Sequence, residues 1–478
     1  MTERTDRFPY TITGALCFLG LYGLAHGTLR LFASWNLGEN DPASALNIQS
    51  LATLQRSGAA TFDMLAFGLA EIFGPSALIF QILRYGLLAI ALGFVFVIAR
   101  RVTGSGLWAL LTIESYALIY QISWRFHEGF TDPLISMVAV AGLFWAISLL
   151  IVEKSGFAIA MAVWFIALGA LTGVWFAGFL FALVAALMAT PGLANRQLIL
   201  ALSIAGAMLS LFYLWGSGFF QETWPEPVSP LLRVGKAGLK VIAYLSPFLP
   251  IVLLIFWRSL RGARPPASPL SSLIAAASLA SMAGLLVAGL ILGDARFPEH
   301  AVMPLFFLTP IAVIDYVRRG ASSMTAIRSY VGICLVLMVV AFGGRVANLY
   351  VLDPVCKRCY FGIPYKGLAD ALKADPDFAA ATMVLAPTER LLGNLYTYWP
   401  EKRFGRTGET LPQTVLYVWP EDMNDVMARI WLREQGVTPE KIAEILRTSK
   451  ELIIGWPHIW RETGYRSSIW RAAIAEND

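Results

Sequence analysis

Long apolar segments alternate with short polar connections over most of the chain. A helix of roughly 20 apolar residues is long enough to cross a bilayer, and the pattern predicts about eleven spans. Glycine and threonine at Gly169, Thr172 and Gly173 predict a tight hairpin or a broken helix between the fifth and sixth spans. The predicted spans cover residues 10–33, 76–99, 106–123, 131–151, 156–171, 174–190, 198–216, 238–257, 270–292, 301–316 and 327–344.

Beyond Tyr350 the long apolar runs stop, and the pattern becomes that of a small soluble α/β module. Segments 383–386 and 414–419 are typical of strands. Segment 439–449 is typical of a helix, with Thr438 as its N-cap.

These patterns together predict an all-α polytopic membrane protein with a small C-terminal α/β domain. The transmembrane domain is expected at 1–349, with a loop at 34–75, and the soluble domain at 350–478. Within the loop, residues 62–74 are apolar with few charges and predict a short helix lying along the membrane interface.

Composition supports membrane insertion. Of 478 residues, 57% are hydrophobic and 14% charged, and the mean hydropathy is +0.62. Soluble domains average about 25% charged residues. The net charge of +5 comes from short basic clusters between spans, so no nucleic-acid partner is predicted. The first apolar segment spans without a small-residue cleavage site, so no cleavable signal peptide is expected.

Basic residues mark one side of the membrane. The positive-inside rule predicts that the side carrying them, together with the N-terminus, faces the cytoplasm. Loops 34–75, 124–130, 217–237 and 293–300 and the C-terminal domain then face the periplasm of a bacterial inner membrane. The basic connections contain Arg100, Arg101, Lys154, Arg196, Arg258, Arg261, Arg264, Arg318 and Arg319.

Cys356 and Cys359 lie just beyond the last predicted span. In an oxidising periplasm, a disulfide between them is the expected pairing. A zinc site would need further ligands, and a redox role would need a thioredoxin-like context; the sequence shows neither.

Carboxylates and histidines collect in the loops expected to face outward. The first loop holds Glu39, Asp41 and Asp63, and these groups suit either a general base or a solvated turn. Asp132 precedes Pro133 at the start of a span, where a carboxylate can also serve simply to cap the helix. The later outward loops add His127, Glu128 and His300 as candidate substrate-binding residues.

Several cations are candidates for binding a lipid phosphate. Arg233 and Lys236 precede the eighth span, Arg84 lies within the second, and Arg296 lies in a late outward loop. Snorkelling anchors are the alternative interpretation. No ligand spacing requires a metal, although the outward carboxylates have the chemistry to hold a divalent ion.

Several short motifs in order resemble the membrane glycosyltransferases of the GT-C fold. The branch that they resemble holds protein O-mannosyltransferases, the lipid A aminoarabinose transferase and the rhizobial galacturonosyltransferases. The motifs are IFGPS at 72–76, ARRVTG at 99–104, QISW at 121–124, TDPL at 131–134, FPEH at 297–300, MPL at 303–305, APTER at 386–390 and GNL at 393–395.

The resemblance implies transfer of a sugar from a polyprenyl-phosphate donor to an envelope glycolipid, polysaccharide or protein at the periplasmic face. A first-loop carboxylate, Asp41 or Glu39, then serves the acceptor nucleophile, with Asp132 as its partner. The chain departs from the family because Asn40 separates Glu39 from Asp41, where adjacent Asp-Glu is common. The usual proline pair before the interfacial helix is also replaced by residues 59–61, Ala-Ala-Thr.

Two other functions compete with this one. A transporter or flippase of a lipid-linked sugar is expected to show repeats and mid-membrane charges; no repeat is visible, and Glu114 and Arg84 are the main intramembrane charges. A non-catalytic envelope assembly protein is the other alternative. The sequence leaves open the sugar, the acceptor and the isoprenoid length.

Overall fold

The protein is mostly helical and divides into two compact units. The first contains Met1–Ala25 and Arg84–Phe342, and the second contains His26–Leu83 and Gly343–Asp478. The expected domain boundary at 349/350 lies close to the change of unit after Phe342, and the second unit also includes the loop 34–75. The computed structural model describes residues 8, 10–52, 61–131, 133–216, 229–292, 302–352, 361–406, 408–456 and 467–476.

Helices dominate the described chain up to residue 352. They are α1 (Ile12–Ala33), α2 (Asp41–Ala52), α3 (Thr61–Phe73), α4 (Ala77–Thr103), α5 (Gly106–Glu114), α6 (Tyr120–Ser123), α7 (Leu134–Val152), α8 (Gly156–Ala170), α9 (Val174–Ala189), α10 (Arg196–Gly216), α11 (Pro230–Tyr244), α12 (Phe248–Ile255), α13 (Trp257–Arg261), α14 (Pro269–Leu292), α15 (Met303–Phe306), α16 (Thr309–Arg319) and α17 (Met324–Val346). Short 3-10 turns cover Ser115–Leu118 and Arg125–Glu128, and a π-helical turn covers Ala347–Leu352.

Membrane crossing is supported by the length and composition of these helices. Among the described residues, six helices are long and apolar enough to span: α1, α4, α7, α10, α14 and α17. Shorter apolar helices lie at Gly106–Leu118, α8 and α9. The predicted break between α8 and α9 is confirmed: α8 ends at Ala170, α9 begins at Val174, and Gly173 between them has φ of 102°, a conformation that favours glycine.

Three segments predicted as continuous spans are interrupted. The segment 106–123 divides between α5 and α6, the segment 238–257 between α11 and α12, and the segment 301–316 between α15 and α16. Polar residues or prolines lie at these points, at Glu114-Ser115, Ser246-Pro247 and Thr309-Pro310. Each segment as a whole is still apolar, so hydropathy averaged over the window gives no sign of the interruptions.

In the first unit, the interrupted segments form hydrogen bonds with one another's backbone groups. The Tyr116 hydroxyl donates to the Phe307 carbonyl between α15 and α16. The Tyr120 N–H donates to the Ser246 carbonyl (3.4 Å), and Ile119 and Pro247 form an isolated bridge. Non-helical backbone at membrane depth is tolerated where protein groups satisfy it, as they do here.

The C-terminal module contains a mixed sheet covered by helices. Its strand order is β2-β1-β3-β5-β4; β1 is parallel to β2 and β3, while β5 is antiparallel to β3 and β4. The predicted strands at 383–386 and 414–419 and the helix at 439–449 are confirmed. The elements are α18 (Tyr365–Ala374), α19 (Pro376–Ala380), β1 (Met383–Leu385), α20 (Glu389–Tyr398), β2 (Arg403–Phe404), β3 (Thr414–Pro420), α21 (Asp425–Glu434), α22 (Pro439–Thr448), β4 (Lys450–Gly455) and β5 (Ser467–Glu476).

Alternation along β3 directs Val415, Tyr417 and Trp419 into one core with Trp431 of α21 and Ile442 of α22. Each of these side chains is buried. Thr438 caps α22 as predicted, accepting the Lys441 N–H (3.5 Å). The module thus has its own apolar core and is an α/β unit.

Helices α2 and α20 pack closely within the second unit. Gly393 of α20 lies so near the start of α2 that an added Cβ would be 2.3 Å from the Pro42 carbonyl oxygen. The neighbouring Asn394 is buried, and its Oδ1 accepts the Leu37 N–H (2.6 Å). The first loop is therefore fixed to the C-terminal module at its very start.

We predict that Gly393→Ala loosens this attachment, because a backbone clash at a helix contact costs about 1–3 kcal/mol. Hydrogen–deuterium exchange of peptides covering residues 37–52 should become faster. Gly68→Ala is the matched control, since Gly68 is also helical and has no heavy atom within 4 Å of an added Cβ. Equal exchange in both variants would contradict the packing role.

Candidate functional site

Asp41 is the first residue of α2, and only 1% of its surface is exposed. Its Oδ2 accepts the Gly38 N–H (3.3 Å). A carboxylate in the first turn of a helix is stabilised by the helix dipole. The carboxylate is thus held in one position by local backbone.

Glu39 lies two residues earlier and faces a different partner. Arg390 of α20 donates to its Oε2 at 2.8 Å, with side-chain exposures of 36% for Arg390 and 26% for Glu39. Thr388, within the motif at 386–390, caps α20 by accepting the Leu391 N–H (3.3 Å). The cap fixes the start of α20 and with it the position of Arg390.

Asp63, which the sequence placed in the first loop without a specific role, is buried on α3. It accepts from Asn47 Nδ2 at 2.5 Å. Arg406 in turn donates to Asn47 Oδ1 (2.8 Å) and to the Ala43 carbonyl (3.0 Å). This chain of contacts joins α2, α3 and the C-terminal module, and it gives the first loop a second attachment.

His127 is fully buried in the first unit between two tyrosines. Its Nε2 lies 2.7 Å from the Tyr22 hydroxyl, and its Nδ1 lies 2.8 Å from the Tyr85 hydroxyl. A neutral imidazole can donate from one nitrogen and accept at the other. Both ring nitrogens are therefore engaged by protein, and a substrate-binding role for His127 stays a prediction.

Arg84 contacts the backbone of this histidine, and Glu128 follows it in the sequence. Arg84 is buried in α4 and approaches the His127 carbonyl at 3.5 Å. Glu128 accepts from Arg125 (3.1 Å) and from the Trp124 indole (3.1 Å). Because these contacts turn Glu128 towards its own loop, its predicted role in substrate binding remains to be tested.

Arg233 and Lys236 lie on α11, an amphipathic helix that begins after Ser229. Among the described residues, the Nε of Arg233 is buried without a hydrogen-bond partner. A buried guanidinium nitrogen of this kind is a suitable phosphate donor. The phosphate-binding prediction for these two cations is consistent with that geometry and remains a prediction.

Glu114 ends α5 and lines a small cavity of about 30 Å³ among mostly apolar side chains. That space holds about two waters. Its Oε2 has no hydrogen-bond partner in the described part of the chain. The expectation that an intramembrane carboxylate faces a cavity agrees with this position.

Five predicted site residues, Asp132, Arg296, His300, Cys356 and Cys359, lie outside the described residues. Their predicted roles, including the disulfide, remain sequence-based. Within the described ranges, no group of three or more His, Cys, Asp or Glu residues is arranged to hold a metal ion.

Comparison with known proteins establishes the fold. No protein-family model and no curated protein sequence matches the chain. The crystal structure of ArnT from Cupriavidus metallidurans bound to undecaprenyl phosphate is similar, with a TM-score of 0.51 and 13% identity, covering 96% of this chain and 98% of that one. The apo structure of the same protein has a TM-score of 0.47 with equal identity and coverage.

This likeness extends over nearly the whole chain, including the helical part and the C-terminal module. The many apolar helices and the small C-terminal sheet agree with the predicted helical membrane domain and α/β domain. The chain is therefore a multi-pass membrane protein with the GT-C fold.

Proposed function

We propose that this protein is a membrane glycosyltransferase that moves a sugar from a polyprenyl-phosphate donor to an acceptor in the cell envelope. The observation that supports this most is the similarity over 96% of the chain to ArnT bound to undecaprenyl phosphate. ArnT is a lipid A aminoarabinose transferase. The acceptor here is a glycolipid, polysaccharide or protein on the periplasmic face.

The reaction forms one bond and breaks one. An acceptor hydroxyl oxygen attacks the anomeric carbon of the donor sugar, and the bond from that carbon to the phosphate oxygen breaks. The electron pair leaves with the polyprenyl phosphate, and the hydroxyl proton passes to a carboxylate. The protein must therefore supply a base for the acceptor and cations for the leaving phosphate.

We assign the acceptor carboxylate to Asp41. The α2–α20 packing and the Gly38 N–H hold this group in place, whereas Glu39 is engaged by Arg390. Because Asp41 is covered by protein in this structure, the assignment requires residues 38–40 to move when the acceptor binds. That movement breaks the Gly38 contact but leaves the Leu37–Asn394 hydrogen bond and the α2–α20 packing in place. Loop movements of this kind commonly complete a catalytic site. Asp132 is the proposed second carboxylate, on sequence grounds.

We assign the donor phosphate to basic residues of the first unit. The Nε of Arg233 is buried and has no hydrogen-bond partner among the described residues, and Lys236 follows on the same amphipathic helix, α11. Arg84 is buried in α4, and Arg296 is included from its position in the sequence. Charge-assisted hydrogen bonds from arginine suit a phosphate that gains charge as it leaves.

We predict that Asp41→Asn and Asp132→Asn each reduce sugar transfer by about 10²–10⁴-fold, the usual contribution of a general base. The measurement is mass spectrometry of envelope glycolipids, glycans and glycoproteins from deletion cells complemented with each variant. Asp422→Asn, an exposed carboxylate in the C-terminal module, is the control and should restore the product. Full restoration of the product by Asp41→Asn would contradict the assignment of Asp41 as the acceptor carboxylate.

A separate comparison distinguishes Glu39 from Asp41. If Glu39 serves only to hold α20, then Glu39→Gln, Arg390→Gln and the double variant should lose similar, small amounts of activity. An ion pair as exposed as this one is worth about 0–1 kcal/mol. Initial rates for the three variants provide the test. A loss in Glu39→Gln far larger than in Arg390→Gln would make Glu39 the working carboxylate instead.

A further inference from the structure

A cavity of about 620 Å³ lies within the second unit, between the chain that follows α1 and the start of α18. We call it the Trp35 cavity. Its polar and aromatic lining comes from Trp35, Asn36, Tyr365, Lys366, Asp370 and Tyr398. The volume falls in the range of about 300–1,000 Å³ that is typical of small-molecule sites.

One wall of the cavity is fixed by a buried asparagine. Asn36 donates from Nδ2 to the carbonyls of Phe361 (2.6 Å) and Ile363 (2.7 Å). Its Oδ1 accepts from the Tyr398 hydroxyl (3.1 Å). Burial raises the pKa of Tyr398 to about 12, so this hydroxyl keeps its proton. The wall is thus formed before any ligand arrives.

Arg30, in the last turn of α1, fixes the chain on both sides of Trp35. It donates to the carbonyls of Ser34 (2.8 Å) and Asn36 (2.6 Å). Its guanidinium also stacks on the Phe361 ring at 3.8 Å. The backbone on both sides of Trp35 is therefore held by hydrogen bonds.

Despite this fixed backbone, 48% of Trp35 remains exposed. The face of an aromatic ring carries negative charge and attracts polarised C–H groups. An exposed indole that borders a cavity, on a backbone held at both sides, is therefore a platform for the C–H face of a sugar ring. Trp35 also follows a span, so an interfacial anchor is the alternative role to be excluded.

The charged groups of the lining balance each other. Lys366 and Asp370 are one turn apart on α18, 3.7 Å from each other, with side chains 74% and 59% exposed. Ion pairs this exposed are weak, so both groups can exchange partners at little cost. One cation beside one anion favours a neutral ligand with many hydroxyls over an anion.

From these observations we propose that the Trp35 cavity binds one pyranose unit of a glycan. The sugar ring stacks on Trp35, and its hydroxyls bond Lys366 and Asp370. The proposal deepens the proposed function, on which it rests for the source of the sugar, namely the acceptor glycan or the donor headgroup.

The test uses full-length protein in nanodiscs and, as probe, oligosaccharides released by mild acid from the envelope of the source bacterium. Saturation-transfer difference NMR measures binding. We expect at least fivefold weaker binding in Trp35→Leu, which keeps an apolar anchor but no aromatic face, and in Asp370→Ala. Glu444→Gln, an exposed carboxylate of α22 away from the cavity, should bind like the wild type.

Unchanged binding in Trp35→Leu and Asp370→Ala, or no binding by the wild type, would overturn the proposal. A polyprenyl-phosphate-sugar fraction from the same cells is then added as competitor. Displacement of the oligosaccharide assigns the cavity to the donor sugar, and simultaneous binding assigns it to the acceptor.

Failure here is separable from failure of the proposed function. Trp35-dependent sugar binding in a protein that forms no glycosidic bond would refute the transferase and leave the cavity assignment standing. If the protein transfers sugar but binds it equally well without Trp35, only the assignment of the cavity is refuted.

Discussion

The contact between α2 and α20 is the constraint on which the candidate chemistry depends. A glycine at 393 lets the Pro42 backbone approach α20, and the Asn394 side chain accepts from the Leu37 N–H. These contacts join residues more than 300 positions apart in the chain. They attach the segment carrying Glu39 and Asp41 to the C-terminal module, and Arg406 with Asn47 extends this attachment to Asp63.

The first unit is subject to a different constraint. Backbone groups within a bilayer need hydrogen-bond partners from the protein. Its interrupted helices place carbonyls and N–H groups together, so that Tyr116 satisfies Phe307 and Tyr120 satisfies Ser246. Irregular backbone at this depth leaves space for polar side chains such as Glu114. Such interruptions are common where membrane proteins bind or move polar groups.

Much of the fold follows from local sequence. Hydropathy predicts the long spans, the run of β-branched and aromatic residues at 414–419 predicts β3, and Thr438 predicts the start of α22. The helix interruptions were not predicted because each segment is apolar on average, although polar residues or prolines such as Ser246-Pro247 lie at the breaks. The pairing of Glu39 with Arg390 and the enclosure of His127 by two tyrosines also escaped prediction, since both depend on contacts between distant segments. Sequence patterns report periodicity and end signals; they do not report which distant side chains meet.

The proposed function requires the protein to break the bond between a sugar and a polyprenyl phosphate. The most direct measurement incubates purified protein in nanodiscs with a polyprenyl-phosphate-sugar fraction and an envelope acceptor extract, followed by mass spectrometry of both lipids. We expect free polyprenyl phosphate to appear in step with an acceptor heavier by one sugar residue, and neither product to form when the acceptor is omitted. Recovery of the donor chemically unchanged, with no acceptor gaining mass, would contradict it.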